Sequence, residues 1–94
     1  MWSNTSGTDT YSISLNLSDY KYVIIGSMYA PGTSSYLAYN FVEVGSSGYC
    51  IVNQSGTAGG ACNSRKATVT TSGITFTEIS SGNRCVPHVV YGIK

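Results

Sequence analysis

Along most of this chain apolar and polar residues alternate with a period of two, most clearly from Tyr11 to Leu17. Tyr11, Ile13, Leu15 and Leu17 fall on one side of an extended chain, and Ser12, Ser14 and Asn16 on the other. That is the pattern of a strand with one buried and one wet face. The longest strand-forming run is Tyr20 to Ala30, YKYVIIGSMYA, punctuated by Asp19 before it and Pro31-Gly32 after it. Tyr20, Tyr22, Ile24, Gly26 and Met28 share one side of its pleat; Lys21, Val23, Ile25, Ser27 and Tyr29 share the other. Both sides are apolar at the centre, and Gly26 predicts a bend or bulge. A chain this short builds one core, which leaves the second face to a neighbouring layer or another subunit.

Five more runs follow the same rule. The short link Ser18-Asp19 predicts a hairpin into the long strand. After the turn Pro31 to Ser35, Tyr36 to Val44 reads as a strand with Leu37, Tyr39 and Phe41 on one face and Tyr36, Ala38, Val42 and Val44 on the other. Gly45 to Gly48 predicts a hairpin into Tyr49 to Asn53. Gln54 to Ser64, rich in glycine, is the one long loop, and long loops of this kind are usually functional or disordered. Arg65 to Thr71 and Ile74 to Ile79 form a hairpin about Ser72-Gly73, with Ala67, Val69, Ile74 and Phe76 inward and threonines opposite. After the turn Ser80 to Asn83 comes Arg84 to Lys94. Its Pro87 cannot donate to a ladder and so predicts an edge or a change of direction. No window has helical periodicity. The expectation is one all-β domain over residues 1–94, an antiparallel β-sandwich or small barrel of about seven strands.

Met1 to Thr10 is polar apart from Trp2 and reads as an opening segment. Its tryptophan predicts either an anchor to the body or a contact with chain upstream, with Met1 a boundary inside a longer native protein. No charged stretch followed by an apolar run marks a secretory signal. Only 10% of residues are charged, against an average of about 25%, while 12% are aromatic, eight of them tyrosine. A net charge of +1, with Arg65-Lys66 as the only basic pair, argues against nucleic acid. No run approaches the length of a membrane-spanning helix.

The chemistry-bearing residues are few. Three cysteines, Cys50, Cys62 and Cys85, form no CxxC or His/Cys cluster, so a zinc site is not expected. Without a signal they are expected to be reduced, Cys50 and Cys85 within strands as small hydrophobes and Cys62 exposed in the loop. His88 is the only histidine. Three positions from Cys85, it cannot form a dyad with that thiol unless the strand bulges, and it reads as a strand histidine at a surface or interface. Glu43 and Glu78, the carboxylates within strands, have nothing in the sequence to bring them together as a glycosidase pair. The expectation is a binding or structural domain with no catalytic residues, metal or cofactor.

Three stretches carry a resemblance: YKYVII, then RKATVTTSGITFTEISSG, then the terminal CVPHVVYGIK. Together with Trp2-Ser3 they resemble the last domain of tail-fibre and minor tail proteins from phages and prophages of Gram-positive gut bacteria. In those proteins a proline-containing strand is followed by Tyr-Gly-Ile-Lys, a pattern occupied here by Pro87, Tyr91, Gly92, Ile93 and Lys94. The motifs are short, and Pro31 to Asn63 carries none of them. The resemblance implies a distal fibre or baseplate domain, a homotrimer in the virion tail, made in the bacterial cytoplasm and acting outside it. Its implied partner is a host cell-surface receptor, a glycan or a protein, with neither nucleic acid nor membrane insertion involved. For sugar stacking the candidates are Tyr29, Tyr36 and Tyr49, with Gln54, Asn63 and Arg84 as polar partners. The alternatives are a trimerisation domain without receptor contact and a monomeric carbohydrate-binding or adhesin module.

Overall fold

The computed structural model describes residues 2–3, 11–30, 37–53, 62–80 and 84–94, and at 53 and 62 the backbone alone. Within them lie eight β-strands and no helix: β1 (Trp2–Ser3), β2 (Ser12–Ser14), β3 (Tyr22–Met28), β4 (Leu37–Glu43), β5 (Ser47–Asn53), β6 (Cys62–Thr70), β7 (Gly73–Thr77) and β8 (Val86–Ile93). They form two antiparallel four-stranded sheets, one in the order β1-β8-β3-β4 and one in the order β2-β7-β6-β5. The eighth strand is the Trp2–Ser3 pair, placed by the sequence in an unpaired opening segment. Trp2 pairs with Val90 and packs on the core, so it anchors the start of the chain. Trp2→Ala is expected to lower stability by about 2 kcal/mol, less than a fully buried tryptophan would cost. Urea unfolding followed by far-ultraviolet dichroism measures the loss.

The buried side chains follow the alternation. Val23, Ile25, Val42 and Val90 from the first sheet meet Ile13, Val52, Ala67, Val69, Ile74 and Phe76 from the second, with Leu17 closing one end. Every inward position predicted for the hairpin β6–β7 is buried, and Thr70, Thr75 and Thr77 opposite them are exposed. A bulge lies beside Gly26 but in the partner strand: pairing of β3 with β8 shifts between Gly26 and Ser27, His88 of β8 is the extra residue, and β3 itself runs in unbroken register with β4. The shift sets Pro87, whose missing N–H the ladder need not use, opposite the buried Ser27.

Two predicted hairpins do not exist. β2 pairs with β7, not with β3, so Ser18-Asp19 carries the chain from one sheet to the other. Likewise β4 and β5 belong to different sheets, although Gly45 to Gly48 is as short as a hairpin loop. In both places bonds to distant strands decide the route. Leu17 N–H donates to Thr71 O at 2.8 Å, Gly45 N–H to Val69 O at 2.8 Å and Lys21 N–H to Ile93 O at 2.8 Å. The first two bonds fix the links onto the second sheet, and the third fixes the start of β3 onto β8 of the first. Where β4 and β5 run side by side, the Ile51 N–H donates to the Asn40 side chain at 3.2 Å.

The glycine-rich loop is also shorter than predicted, because β6 begins at Cys62 and takes in Asn63 and Ser64. The expected exposure of the Cys62 side chain lies outside the described residues. Cys85 is not in a strand. It occupies a bend just before β8 with φ 55°, a conformation that leaves its side chain buried between the sheets.

Candidate functional site

The residues proposed for sugar contact separate into distinct places. Tyr29, just past β3, and Arg84, just before β8, come together, the Arg84 guanidinium lying 5.0 Å from the centre of the Tyr29 ring. Such a contact is worth about 0.5–1 kcal/mol at an exposed site and holds both groups in fixed orientation. Asn63 is nearly buried on the inner side of β6, where its side-chain oxygen accepts a bond from the Ser80 hydroxyl at 3.4 Å. Tyr49 stands on the outer side of β5, where its hydroxyl donates to Glu78 at 3.3 Å. Tyr36 and Gln54 lie outside the described residues.

A strut behind the Tyr29–Arg84 pair was not foreseen. Arg65 is fully buried, its Nε donating to the Arg84 carbonyl at 3.0 Å and its guanidinium lying 5.5 Å from the Tyr11 ring centre. The next residue, Cys85, donates its N–H to Tyr29 O at 3.0 Å and its thiol to Cys50 O at 3.2 Å. Arg84-Cys85 thus ties the end of β3 in one sheet to β5 and β6 in the other. Arg65 and Lys66 are the one basic pair of the sequence. Pleat parity separates them, sending Arg65 inward with Ala67 and Val69 while Lys66 pairs with Glu78 at 3.3 Å outside.

Cys50 and Cys85 are both buried thiols. Burial, and then the neighbouring Cys85, push the Cys50 thiol up to about 12, partly opposed by the Ser27 hydroxyl and the Arg65 charge. A thiol held in that neutral state is packing rather than a nucleophile at neutral pH. The bulge needed for a Cys85–His88 dyad does exist, but Cys85 spends its proton on the Cys50 carbonyl. Glu43 ends β4 in the first sheet, and Glu78, expected in a strand, lies just past the end of β7 in the second. Among the described residues no group of three or more His, Cys, Asp or Glu is placed to hold a metal.

The strongest chemical feature is a contrast between the outer faces of the two sheets. Residues paired across antiparallel strands point to the same side. On the second sheet the pairing aligns Ser47, Thr68, Thr75 and Ser12 in one row across the outer face. Thr70 and Ser14 flank Gly73 in the next row. Ser47 and Thr68 join their hydroxyls at 3.1 Å. Tyr49 and Ile51 on β5 are the exposed apolar side chains of that face.

On the first sheet the outer rows are Glu43–Tyr22–Ile93, Phe41–Ile24–Tyr91 and Tyr39–Gly26–Val89. Phe41 is 64% exposed, Tyr39 57%, Tyr91 49% and Tyr22 41%. The Tyr22 and Phe41 rings meet edge to face, centres 5.9 Å apart at 79°, and with Glu43 and Ile93 they line an open recess. Gly26 gives this face its shape. A Cβ there would come within 2.7 Å of Val89 and 2.9 Å of Tyr39, so the missing side chain lets both neighbours close over the strand. The sequence marked the second apolar side of this strand, and the exposed rings on β4 and β8 extend it into a surface.

Comparison of the chain with protein-family models, with curated proteins and with solved structures finds no match.

Proposed function

We propose that this chain is an attachment domain of the phage tail-fibre or baseplate type, one copy in a homotrimer that meets a host surface glycan. What carries the reading is the concentration of four exposed rings on the outer face of the first sheet, where the second sheet bears rows of hydroxyls with Tyr49 and Ile51 at its β5 edge. A protein that worked alone would gain nothing from four half-exposed aromatics on one face, and contiguous patches of that kind mark interaction sites. Of the stretches that carry the resemblance, YKYVII, the terminal one with Pro87 and the Trp2-Ser3 pair lie in the sheet with the rings, and the one that begins at Arg65 forms β6 and β7 of the other.

Receptor contact is assigned to the Tyr29–Arg84 end. A ring and a guanidinium locked by the strut behind them offer a stacking surface beside hydrogen-bond donors, the pairing that sugar recognition uses. The labelled domain is expected to bind intact cells of a responsive Gram-positive gut bacterium saturably. Stripping the surface polysaccharide should abolish binding, and Tyr29→Ala should weaken it about tenfold, the loss of one stacking contact of about 1.4 kcal/mol. A folded, assembled domain that binds none of a broad panel of such cells would leave the second reading, an assembly domain without receptor contact, which the ring-bearing face also favours.

A further inference from the structure

We infer that the outer face of the first sheet is where copies of this chain meet, the rings of Phe41, Tyr39, Tyr91 and Tyr22 of one copy packing on the same face of the next. This rests on the reading of the chain as a multi-copy assembly and names the surface that makes it.

A second copy fits this face better than a sugar does. Among the described residues its three central rows hold one small hydroxyl side chain, Ser3 at the β1 edge beside Val89, and Glu43 is the one charged side chain in them. A sugar ring needs several hydrogen-bond partners around each stacking surface, and among the described residues these rows offer phenol hydroxyls, one carboxylate and a serine at the far edge. An apolar, aromatic partner needs none. The recess between Tyr22, Phe41, Glu43 and Ile93 is open enough to receive a ring, and Phe41, the most exposed ring among the described residues, stands on its rim. A surface with both a knob and a hole can meet its copy about a two-fold axis, as in a dimer, or head to tail, as in a closed trimer.

The area is also sufficient. An aromatic side chain buries about 150–250 Å² when fully covered, so four rings at roughly half exposure leave on the order of 400–500 Å² open. The half-buried Ile24, Val89 and Ile93 bring the face to about 600 Å². Two such faces pressed together would remove roughly 1,200 Å², the lower bound of stable specific interfaces. The strands beneath are rigid and paired on both sides through β3, so little ordering is lost on contact.

The test is light scattering of the whole chain over a concentration series from about 1 to 200 μM, bracketing the affinity expected at that interface size, for wild type, Phe41→Asp and Thr68→Asp. Wild type is expected at two or three times the single-chain mass at the upper end. Phe41→Asp should shift the particle to a single chain, because a carboxylate at the centre of a dry aromatic contact has no partner. Thr68→Asp, on the hydroxyl face, should leave the mass unchanged. Thermal unfolding of each variant shows that it folds, and since Phe41 is exposed its replacement should leave the single chain intact. A wild-type monomer at every concentration overturns the inference, as does a Phe41→Asp protein that assembles like wild type. The second result still leaves the multi-copy reading in place through another surface. A dimer keeps the interface and removes the trimeric form of the proposed function, while cell binding by a monomer keeps attachment and removes assembly.

Discussion

Gly73→Ala is expected to lower the unfolding free energy by about 3 kcal/mol or more, the range of buried steric and backbone conflicts. Gly73 sits at the head of β7 with φ 151°, paired with Thr70 on one side and Ser14 on the other. A Cβ built there lands on the carbonyl oxygen of Ile13 and within 3.3 Å of the Ser14 Cα. The obstacle is backbone, so it cannot swing aside as a side-chain tip would. Relief requires β2 to move off β7, yet β2 is held by the Leu15 N–H to Ser72 O bond at 3.1 Å and the Leu17 N–H to Thr71 O bond at 2.8 Å. Moving it draws Ile13 and Leu17 out of the core. Gly45→Ala is the matched control: its φ is 93° but nothing lies within 4 Å of the new methyl group. There only the backbone conformation opposes the change, at about 1–2 kcal/mol. Urea titration of both variants separates the two effects. Equal losses would show that backbone conformation alone makes Gly73 necessary and that the clash with Ile13 relaxes at no cost.

The same region shows what can and cannot be read from sequence in a small β protein. Which residues face inward was legible almost throughout, because alternation is a local property fixed by the pleat: Val69, Ile74 and Phe76 needed no knowledge of the partner strand. Which strands pair was not legible at two links. Ser18-Asp19 and Gly45 to Gly48 have the length of hairpin loops, and length says only that the next strand starts nearby. The choice between folding back in the same sheet and crossing to the other is made by bonds from Leu17 to Thr71 and from Gly45 to Val69, residues far away in the chain. The cation inside was legible in principle. Arg65 shares parity with Ala67 and Val69, and a continuous inward row was available to be followed one step further. Its charge argued for the surface, and the stacking on Tyr11 and the bond to Arg84 that make burial tolerable come from segments the local pattern does not connect. Of the candidate contact residues, the Tyr29–Arg84 pair depends on the ends of β3 and β8 lying side by side, which required the sheet order. The exposed rings of the first sheet were half visible: one strand announced a second apolar face, and pairing with β4 and β8 made it a surface.

Raising the pH is expected to leave stability nearly flat to about pH 9 and then reduce it by up to about 1.4 kcal/mol per pH unit, with Cys50 responsible for the part that mutation removes. Its thiol titrates near 9.0 when solvated and is pushed up to about 12 in the fold, where burial and the adjoining Cys85 disfavour the thiolate. The folded chain therefore holds a proton that the unfolded chain gives up, so the stabilising contribution is complete below about 9 and declines as pH climbs toward about 12. By pH 10.5 the decline reaches about 2 kcal/mol, a large share of the stability of a domain this small. The rest of the chain is common to wild type and Cys50→Ala and cancels when the two are compared. At neutral pH the alanine variant should be the less stable, by about 1–2 kcal/mol for the sulfur removed from the core. Above pH 9 the gap should narrow, and near pH 10.5 the two urea midpoints should meet or cross. Midpoints that fall in parallel from pH 8 to 10.5 would mean that Cys50 ionises within the folded protein as readily as in water. Water would then have to reach the space between Ser27, Arg65 and Cys85, and the strut that supports the Tyr29–Arg84 pair would be a mobile segment in place of a rigid one.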